Sequence, residues 1–362
     1  MSRILVIGPF PEPTTGVSLA NKVVVEGLSE RTKTTIDLIN TSYDKFEENI
    51  GAFSLSKALF YLKLKLHVFK VFKSDVVYVT PGQTFFGVLK YALFIVMGWL
   101  ANKEIIIHVH GNYLGKEYTL IKGLRKKLFK WILNKTSKGI VLSESLKGNM
   151  SPFINDEQIF VLYNFVEDYL FLEEQVVFDT VEEFKPKIIF LSNLMEEKGI
   201  LDLLEALKKL ELDGVKFEAK IAGNIDHKNK NKIDAYFKAL KQVSYCGVVS
   251  GSEKRDLLLW GNVFVLPTYY EMEGQPISIL EAMATGNLVL TTNHAGIPDV
   301  FKNGVNGYFV DKQDSESIVQ RIKDINKDVK FSNEIRKNNF IHASKHYKVD
   351  NFIDKFIKII EA

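Results

Sequence analysis

Short apolar, β-branched runs alternating with longer amphipathic stretches constrain this chain more than any other feature of its sequence. In the first half the runs are Ile4 to Ile7, Val76 to Val79, Glu104 to His108, Gly139 to Leu142 and Ile159 to Leu162. Between them, Val17 to Ser29, Leu55 to Phe72, Phe85 to Ala101 and Thr119 to Leu133 place apolar residues at three- and four-residue steps, the period of a helix. A strand without polar alternation is covered on both faces, and strands that alternate with helices form parallel βαβ units. The expected fold class is therefore α/β, with a doubly wound sheet.

The periodicity fails around Tyr169 to Lys187, where acids gather at Glu167, Asp168, Glu173, Glu174, Asp179, Glu182 and Glu183, and Pro186 precedes a new apolar run. The alternation then restarts with Ile188 to Leu191, Phe217 to Ala222, Val263 to Leu266, Leu288 to Thr291 and Tyr308 to Val310, with helices expected at Ile200 to Leu210 and Ile277 to Thr285. A chain of 362 residues is long for one core. We expect an amino-terminal domain over 1–170, a linker over 171–186 and a second domain of the same class over 187–345. The helical tail, 346–362, is expected to pack back on the first domain. Two such sheets imply a crevice at the carboxyl ends of their strands, where open α/β sheets bind ligands.

Forty-seven Lys and Arg against 44 Asp and Glu leave a net charge of +3, too balanced for a protein that covers many nucleic-acid phosphates. One cysteine, Cys246, excludes an internal disulfide framework and fits a reducing compartment, so a cytoplasmic location is expected. MSRILVIGPF reads as a buried first strand and not as a leader. The most apolar stretch is interrupted by Lys90, and the uncharged Tyr91 to Ala101 is too short to span a bilayer.

The densest chemical signal follows Val263 to Leu266: Glu273, Gly274, Gln275, Pro276 and Ile277, then a helix that carries Glu281 and ends at Gly286. Pro276 suits a first helical position and Gly286 a helix end. Free amides at such a helix start form an anion site. Glu281 lies about 7 Å further along the axis at 1.5 Å per residue, within range of a ribose. Taken alone, Glu281 is more readily read as a solvated helix residue and Glu273 as a loop charge. A parallel arrangement runs from the strand at Ile188 through Asn193 to Lys198 and Gly199, where an ammonium at a helix start can neutralise a leaving phosphate.

In the first half, the turn from Gly8 to Ser18 contains Thr15 and Gly16 but lacks G-x-G-x-x-G spacing, against a nicotinamide-type site. Gly16 leaves room for close backbone approach to a ligand, or serves a rigid turn alone. His108 and His110 share one side of a strand that ends at Gly111 and Asn112. No further ligand stands at a metal-binding spacing, so no metal is expected, with His110 read as a hydrogen-bonding group and His108 as buried. The absence of Asp-x-Asp weakens a divalent-cation site, and P-loop, G-x-S-x-G and paired CxxC motifs are missing as well. Two acid-free basic segments, Lys57 to Lys73 and Lys122 to Lys138, interleave lysines with aromatic residues, which suits an anionic membrane surface as well as a solvated helix face.

The ordered set Gly16, His110-Gly111, Ser143-Glu144, Asn164-Phe165-Val166-Glu167, Lys198-Gly199, Gly223, Gly247, Glu273-Gly274, Glu281-Ala282-Met283-Ala284 and Gly296-Ile297-Pro298-Asp299 resembles family-four retaining glycosyltransferases of GT-B type. The resemblance covers nearly the whole chain and is stronger in the second half. It implies two Rossmann-like domains facing a central cleft, and transfer of a sugar from a nucleotide diphosphate donor, UDP favoured, to an acceptor hydroxyl with retained configuration. No metal or other cofactor is implied. Glu281 would meet the donor ribose, and Lys198 the departing diphosphate. Glu273 with Gly274, Gln275, Pro276 and Ile277 would meet the sugar and diphosphate, and His110 would sit beside the reacting sugar. Gly16, Asn193, Gly223, Cys246 and Gly247 complete the donor set, with Tyr245 to Val248 holding the base, while Thr15, Gly16, His110 and Asn112 face the acceptor.

Three departures from the family stand out: Asn193 replaces a frequent arginine, Thr15 one glycine of a frequent pair, and Gln275 a frequent apolar residue. With the basic segments, the resemblance implies a bacterial glycan, lipid-linked or free, assembled for the cell surface at the inner membrane face, with no nucleic acid as partner. An epimerase or phosphorylase of the same plan, and a non-catalytic nucleotide-sugar binding subunit, remain alternatives.

Overall fold

The computed structural model describes residues 3–43, 55–171 and 185–362, the side chains of 55–58 excepted. Five of the expected linker acids, Glu173, Glu174, Asp179, Glu182 and Glu183, lie outside the described residues, as does the side chain of Lys57. The chain forms two compact units: Met1–Asn164 with Met272–Gln275 and Asp350–Ala362, and Phe165–Glu271 with Pro276–Val349.

The first unit runs β1 (Arg3–Gly8), α1 (Gly16–Arg31), β2 (Thr35–Asn40), α2 (Leu55–Lys65), α3 (Phe69–Lys73), β3 (Val76–Val79), α4 (Phe85–Leu89), α5 (Ala92–Leu100), β4 (Glu104–Val109), α6 (Leu114–Leu120), α7 (Gly123–Leu133), β5 (Lys138–Val141) and β6 (Ile159–Val161). Its strands form one parallel sheet in the order β2-β1-β3-β4-β5-β6. Leu5, Val6, Ile7 and Val77 to Val79 are wholly buried, as the uninterrupted apolar runs require. The edge strand β2 was not legible as a strand: Thr35 and Asn40 face solvent, so its sequence lacks the apolar run of the interior strands.

The second unit runs β7 (Lys187–Leu191), α8 (Ile200–Leu212), β8 (Glu218–Ala222), α9 (Lys230–Ala239), β9 (Val243–Tyr245), α10 (Gly251–Trp260), β10 (Val263–Leu266), α11 (Ile277–Ala284), β11 (Leu288–Thr291), β12 (Gly307–Phe309), α12 (Ser315–Lys327) and α13 (Val329–His346). Its parallel strands order as β12-β11-β10-β7-β8-β9. Here too the unexpected strand, β9, is an edge, with Ser244 and Tyr245 exposed. The order reverses between β7 and β10, the doubly wound switch point at which the next loops open a binding site.

Three helices expected to be continuous are broken. Phe85 to Ala101 divides at Lys90 and Tyr91, where the buried Tyr91 hydroxyl meets Thr41 Oγ1 at 2.9 Å. The stretch to Leu133 divides at Ile121 and Lys122, both extended, ahead of Gly123 at φ +61°. A 3-10 turn, Leu66–Val68, separates α2 from α3. Helix α13 ends at Tyr347, whose carbonyl accepts from Val166 N at 2.7 Å.

The last helix, α14 (Val349–Glu361), buries Phe352, Ile353, Phe356 and Ile359. Within the first unit the Phe356 ring meets Tyr78 edge-on at 5.2 Å. Gly27 of α1 makes room for this helix, since a Cβ there would lie 2.6 Å from Ile353 Cδ1. Arg31 then bonds Asp350 and, at 2.7 Å, Asp354. Truncating Phe356, which is 1% exposed, to alanine should cost about 3–5 kcal/mol by loss of burial and formation of a cavity. Urea unfolding of Phe356→Ala against the parent chain measures this.

Candidate active site

In the first unit the loops at the carboxyl ends of β3 and β4 converge on Met272–Gln275. Gln83 accepts from Tyr113 N at 2.6 Å and donates to Met272 O at 3.1 Å. Gly111 and Gly274 are needed for this approach: a Cβ on Gly111 would clash with Gln83 and with Met272 O, and one on Gly274 would lie 2.9 Å from His110 O. Glu273, Gly274 and Gln275 are buried.

Gln275 accepts from Asn164 N at 2.6 Å and donates to Leu142 O at 3.1 Å, while its carbonyl accepts from Asn164 Nδ2 at 2.8 Å. The side chain expected among the donor ligands thus engages both ends of its amide in holding its own loop. An apolar residue there could make neither side-chain bond.

His110 follows β4 and stacks on His108, ring centroids 3.9 Å apart. His108 Nδ1 meets the Tyr78 hydroxyl at 2.7 Å, and the Nε2 atoms of both histidines are buried without hydrogen-bond partners. Burial lowers His108 well below the ordinary 6.5, with His110 adding to the effect, and burial lowers His110 to about 3. Both rings are therefore neutral at pH 7. No cluster of three or more His, Cys, Asp or Glu able to hold a metal occurs among the described residues.

Of the other residues expected on the acceptor side, Asn112 Oδ1 stands 3.5 Å from Asn149 Nδ2. The Thr15 side chain accepts from Ser18 N at 3.1 Å, while Ser18 Oγ accepts from Thr15 N at 2.7 Å. Thr15 is thus the N-cap of α1, with a reciprocal capping box, and Gly16 is the first residue of that helix.

In the second unit the switch-point loops pack together. Tyr269 N donates to Glu197 O at 2.8 Å, and Gly199, at φ +79°, sits so close to Pro267 that a Cβ would clash with its carbonyl oxygen. This close approach sets Lys198 Nζ 5.1 Å from the centre of the Tyr270 ring. Asn193, in the same loop, is exposed. At the end of β8, Gly223 has φ +136° and presses on the Ser192 carbonyl. Its N–H donates to Gly247 O, and its carbonyl accepts from the Tyr245 hydroxyl, both at 2.8 Å. Cys246 is exposed beside them.

Helix α11 has Pro276 as its N-cap and not as its first helical residue, because φ −60° and ψ 117° keep that residue extended and the helix begins at Ile277. Gly286 follows the helix with φ +70°. Glu281, on the second turn, is 4% exposed and forms an ion pair with Lys254 of α10, Nζ to Oε1 2.6 Å. Lys254 also reaches Glu167 at 3.0 Å and lies 5.6 Å from the Tyr169 ring centre. Burial pushes the Glu281 carboxyl up and Lys254 opposes it. Burial likewise lowers Lys254, but Glu281 and Glu167 more than reverse this and hold it protonated. Glu281 is thus no solvated helix charge.

Sequence reasoning missed Lys254 and Tyr270. Tyr270 had a signal, an aromatic pair in the loop that follows a strand. Lys254 had none, since it sits within a charged helix start like several others.

Both imidazoles bind protons more weakly folded than unfolded, so the stability they contribute is complete above about pH 6.5 and lost as pH falls below it. Each imidazole should add up to about 1.4 kcal/mol per pH unit to the acid loss. His108→Gln should lower that slope, as read from urea unfolding between pH 7 and 4.5.

Residues 173–341 match the family "Glycosyl transferases group 1". The chain is 25% identical to the "Uncharacterized glycosyltransferase MJ1607" of Methanocaldococcus jannaschii, across 96% of this chain and 95% of that one. It is 29% identical to the "Putative colanic acid biosynthesis glycosyltransferase WcaL" of Salmonella typhimurium, though only over 39% of this chain and 36% of the relative. Among solved structures, Anabaena Alr3699/HepE in complex with UDP shares the fold at a TM-score of 0.76 and 14% identity, covering 99% of each chain. The resemblance carried by the motifs is matched over residues 173–341 by the family model and throughout by the two-sheet GT-B fold, so the chain is similar to group 1 glycosyltransferases.

Proposed function

We propose that this chain transfers a sugar, with retained anomeric configuration, from a nucleoside diphosphate to a hydroxyl of a glycan or lipid-linked acceptor in the synthesis of a cell-surface polysaccharide. The carrying observation is the buried, charge-paired Glu281 on the helix that starts beyond β10, with Lys198 on the loop beyond the neighbouring β7. A carboxylate for ribose hydroxyls and an ammonium for phosphate oxygens, at the switch point of one doubly wound sheet, match the two ends of a nucleoside diphosphate. UDP is favoured as the nucleotide because relatives of this fold were solved with UDP and with UDP-glucose.

In this reading residues 187–345 form the donor side and 1–170 the acceptor side. The bond from the anomeric carbon to the diphosphate breaks with its electron pair on the leaving oxygen. The acceptor oxygen bonds to that carbon, and nucleoside diphosphate and a proton are released. Lys198 and the first amides of α11 offset the charge that develops on the leaving group. Asn193 donates a hydrogen bond where an arginine would add a charge, which leaves more of that task to Lys198. Neutral His110 and Glu273 orient the sugar, and no metal takes part.

Donor turnover with separated products tests the reading. Lys198→Ala should lower kcat about 10²–10³-fold. Glu281→Ala should weaken binding of the nucleoside diphosphate at least about tenfold. Turnover unaffected by both changes, or a product of inverted configuration by NMR, overturns it. A rate that collapses in excess EDTA and returns with magnesium overturns the metal-free part.

For the acceptor side we propose contact with an anionic membrane surface. Leu124, Trp131, Trp99, Leu100 and Phe86 are exposed on α4, α5 and α7. Lys135 lies 3.7 Å from the Trp99 ring centre and Arg125 5.8 Å from that of Phe86. No helix among the described residues is long and apolar enough to cross a membrane. Apolar rings beside cations suit an interfacial position. The chain should co-sediment with phosphatidylglycerol vesicles but not with phosphatidylcholine vesicles. Joint replacement of Lys126, Lys127 and Lys130 by glutamate should abolish the binding.

A further inference from the structure

We infer that Lys254 is a positioning residue for nucleotide recognition: its ammonium fixes Glu281 as a two-electron-pair acceptor and thereby sets the preference of the site for a ribose over a deoxyribose. The inference rests on the reading above, in which Glu281 meets the donor ribose, and adds a residue on another helix to it.

The geometry is one-sided. Lys254 Nζ contacts Oε1 of Glu281 at 2.6 Å, and among the described residues Oε2 accepts no hydrogen bond. The side chains are 13% and 5% exposed, so little water competes for that pair. The same ammonium is held from its other side by Glu167 Oε2 at 3.0 Å. Glu281 therefore cannot swing toward Lys254 with both oxygens while Lys254 divides itself between two acids. One oxygen is pinned and the other is left for a ligand hydroxyl.

The remaining oxygen of an ionised carboxylate has two lone pairs and can accept from both hydroxyls of a diol, whereas a protonated carboxyl can carry its proton there and present a donor instead. The groups facing Glu281 are Lys254, Glu167 and Tyr169. Of these only Lys254 favours the ionised state; burial and Glu167 oppose it. Without Lys254, a carboxylate on a buried helix face would take up a proton at much higher pH.

The test is calorimetric titration of the full chain with UDP, GDP and ADP and with their 2′-deoxy counterparts, between pH 5.5 and 8.5. The parent chain should bind its nucleotide with little pH dependence and prefer the ribose form. Lys254→Met should bind it at least tenfold more weakly at pH 6 than at pH 8.5, with most of the ribose preference lost at the lower pH. Lys254→Arg, which keeps the charge, should stay within threefold of the parent. If Lys254→Met fails to fold, Lys254→Gln, which keeps a donor but not the charge, should show the same pH dependence. A folded Met or Gln variant that binds with the parent's affinity, pH profile and ribose preference overturns the inference, while Glu281→Ala still weakens binding. If Glu281→Ala binds as the parent does, the ribose reading itself fails, and the role of Lys254 falls with it.

Discussion

Parallel pairing is the constraint on which the rest of this structure depends. Every strand in both six-stranded sheets runs the same way as its neighbours, so each connection must cross back over a face, and each strand leads into its next helix at the same edge. In the second unit that edge gathers the helix starts, with their unsatisfied N–H groups, the loop after β7 that carries Lys198, and helix α11, beyond β10, that carries Glu281. The chemistry is placed by topology before any side chain is chosen. Side chains then refine it through close backbone contacts at Gly199, Gly223 and Gly274, where a methyl group would hold the loops apart.

The polar groups buried at these loops divide into those already satisfied and those left open. Two bonds join Gln275 to Asn164 and a third joins it to Leu142, so the Gln275 amide is satisfied and fixes a loop without secondary structure, while the buried Asn164 Oδ1 is left without a partner. Such a network is worth its burial only when its members are paired. His108 of β4 and His110 just after it stand otherwise: the Tyr78 hydroxyl meets one nitrogen of His108, the rings stack, and both Nε2 atoms lack partners. Buried atoms of that kind mark strain or a place awaiting a ligand group.

Most of the fold was legible because interior strands of a parallel sheet carry their burial in plain sequence. Val76–Val79, Val263–Leu266 and Leu288–Thr291 begin and end where their apolar runs do. The edge strands β2 and β9 were not legible because Thr35, Asp37 and Asn40 in one and Ser244 in the other interrupt the apolar run, whereas the edges β6 and β12 keep theirs. Helix breaks were hidden for another reason: Tyr91 and Tyr347 are redirected by partners far along the chain, Thr41 and Val166, which no local window contains. The site shows the same division. Glu273, Glu281 and Lys198 stand out by their position after a strand, whereas Lys254 becomes significant only through its contact with Glu281 across two helices. The Gln275 side chain was legible as unusual, but its use in bracing a loop depends on Asn164 and Leu142.

The triad of Lys254, Glu167 and Glu281 holds two acids against one base, and so carries one formal negative charge in a part of the second unit largely shielded from water. Lys198, on the loop beyond β7, carries the opposite sign. In the donor reading proposed above, a ligand that is anionic at one end and neutral but hydroxyl-rich at the other is favoured with its anionic end toward Lys198, since the reversed orientation sets that end against carboxylates. The direction in which such a molecule lies is decided by sign before any single hydrogen bond forms. Shape and hydrogen bonding then need only choose among ligands that already point the same way.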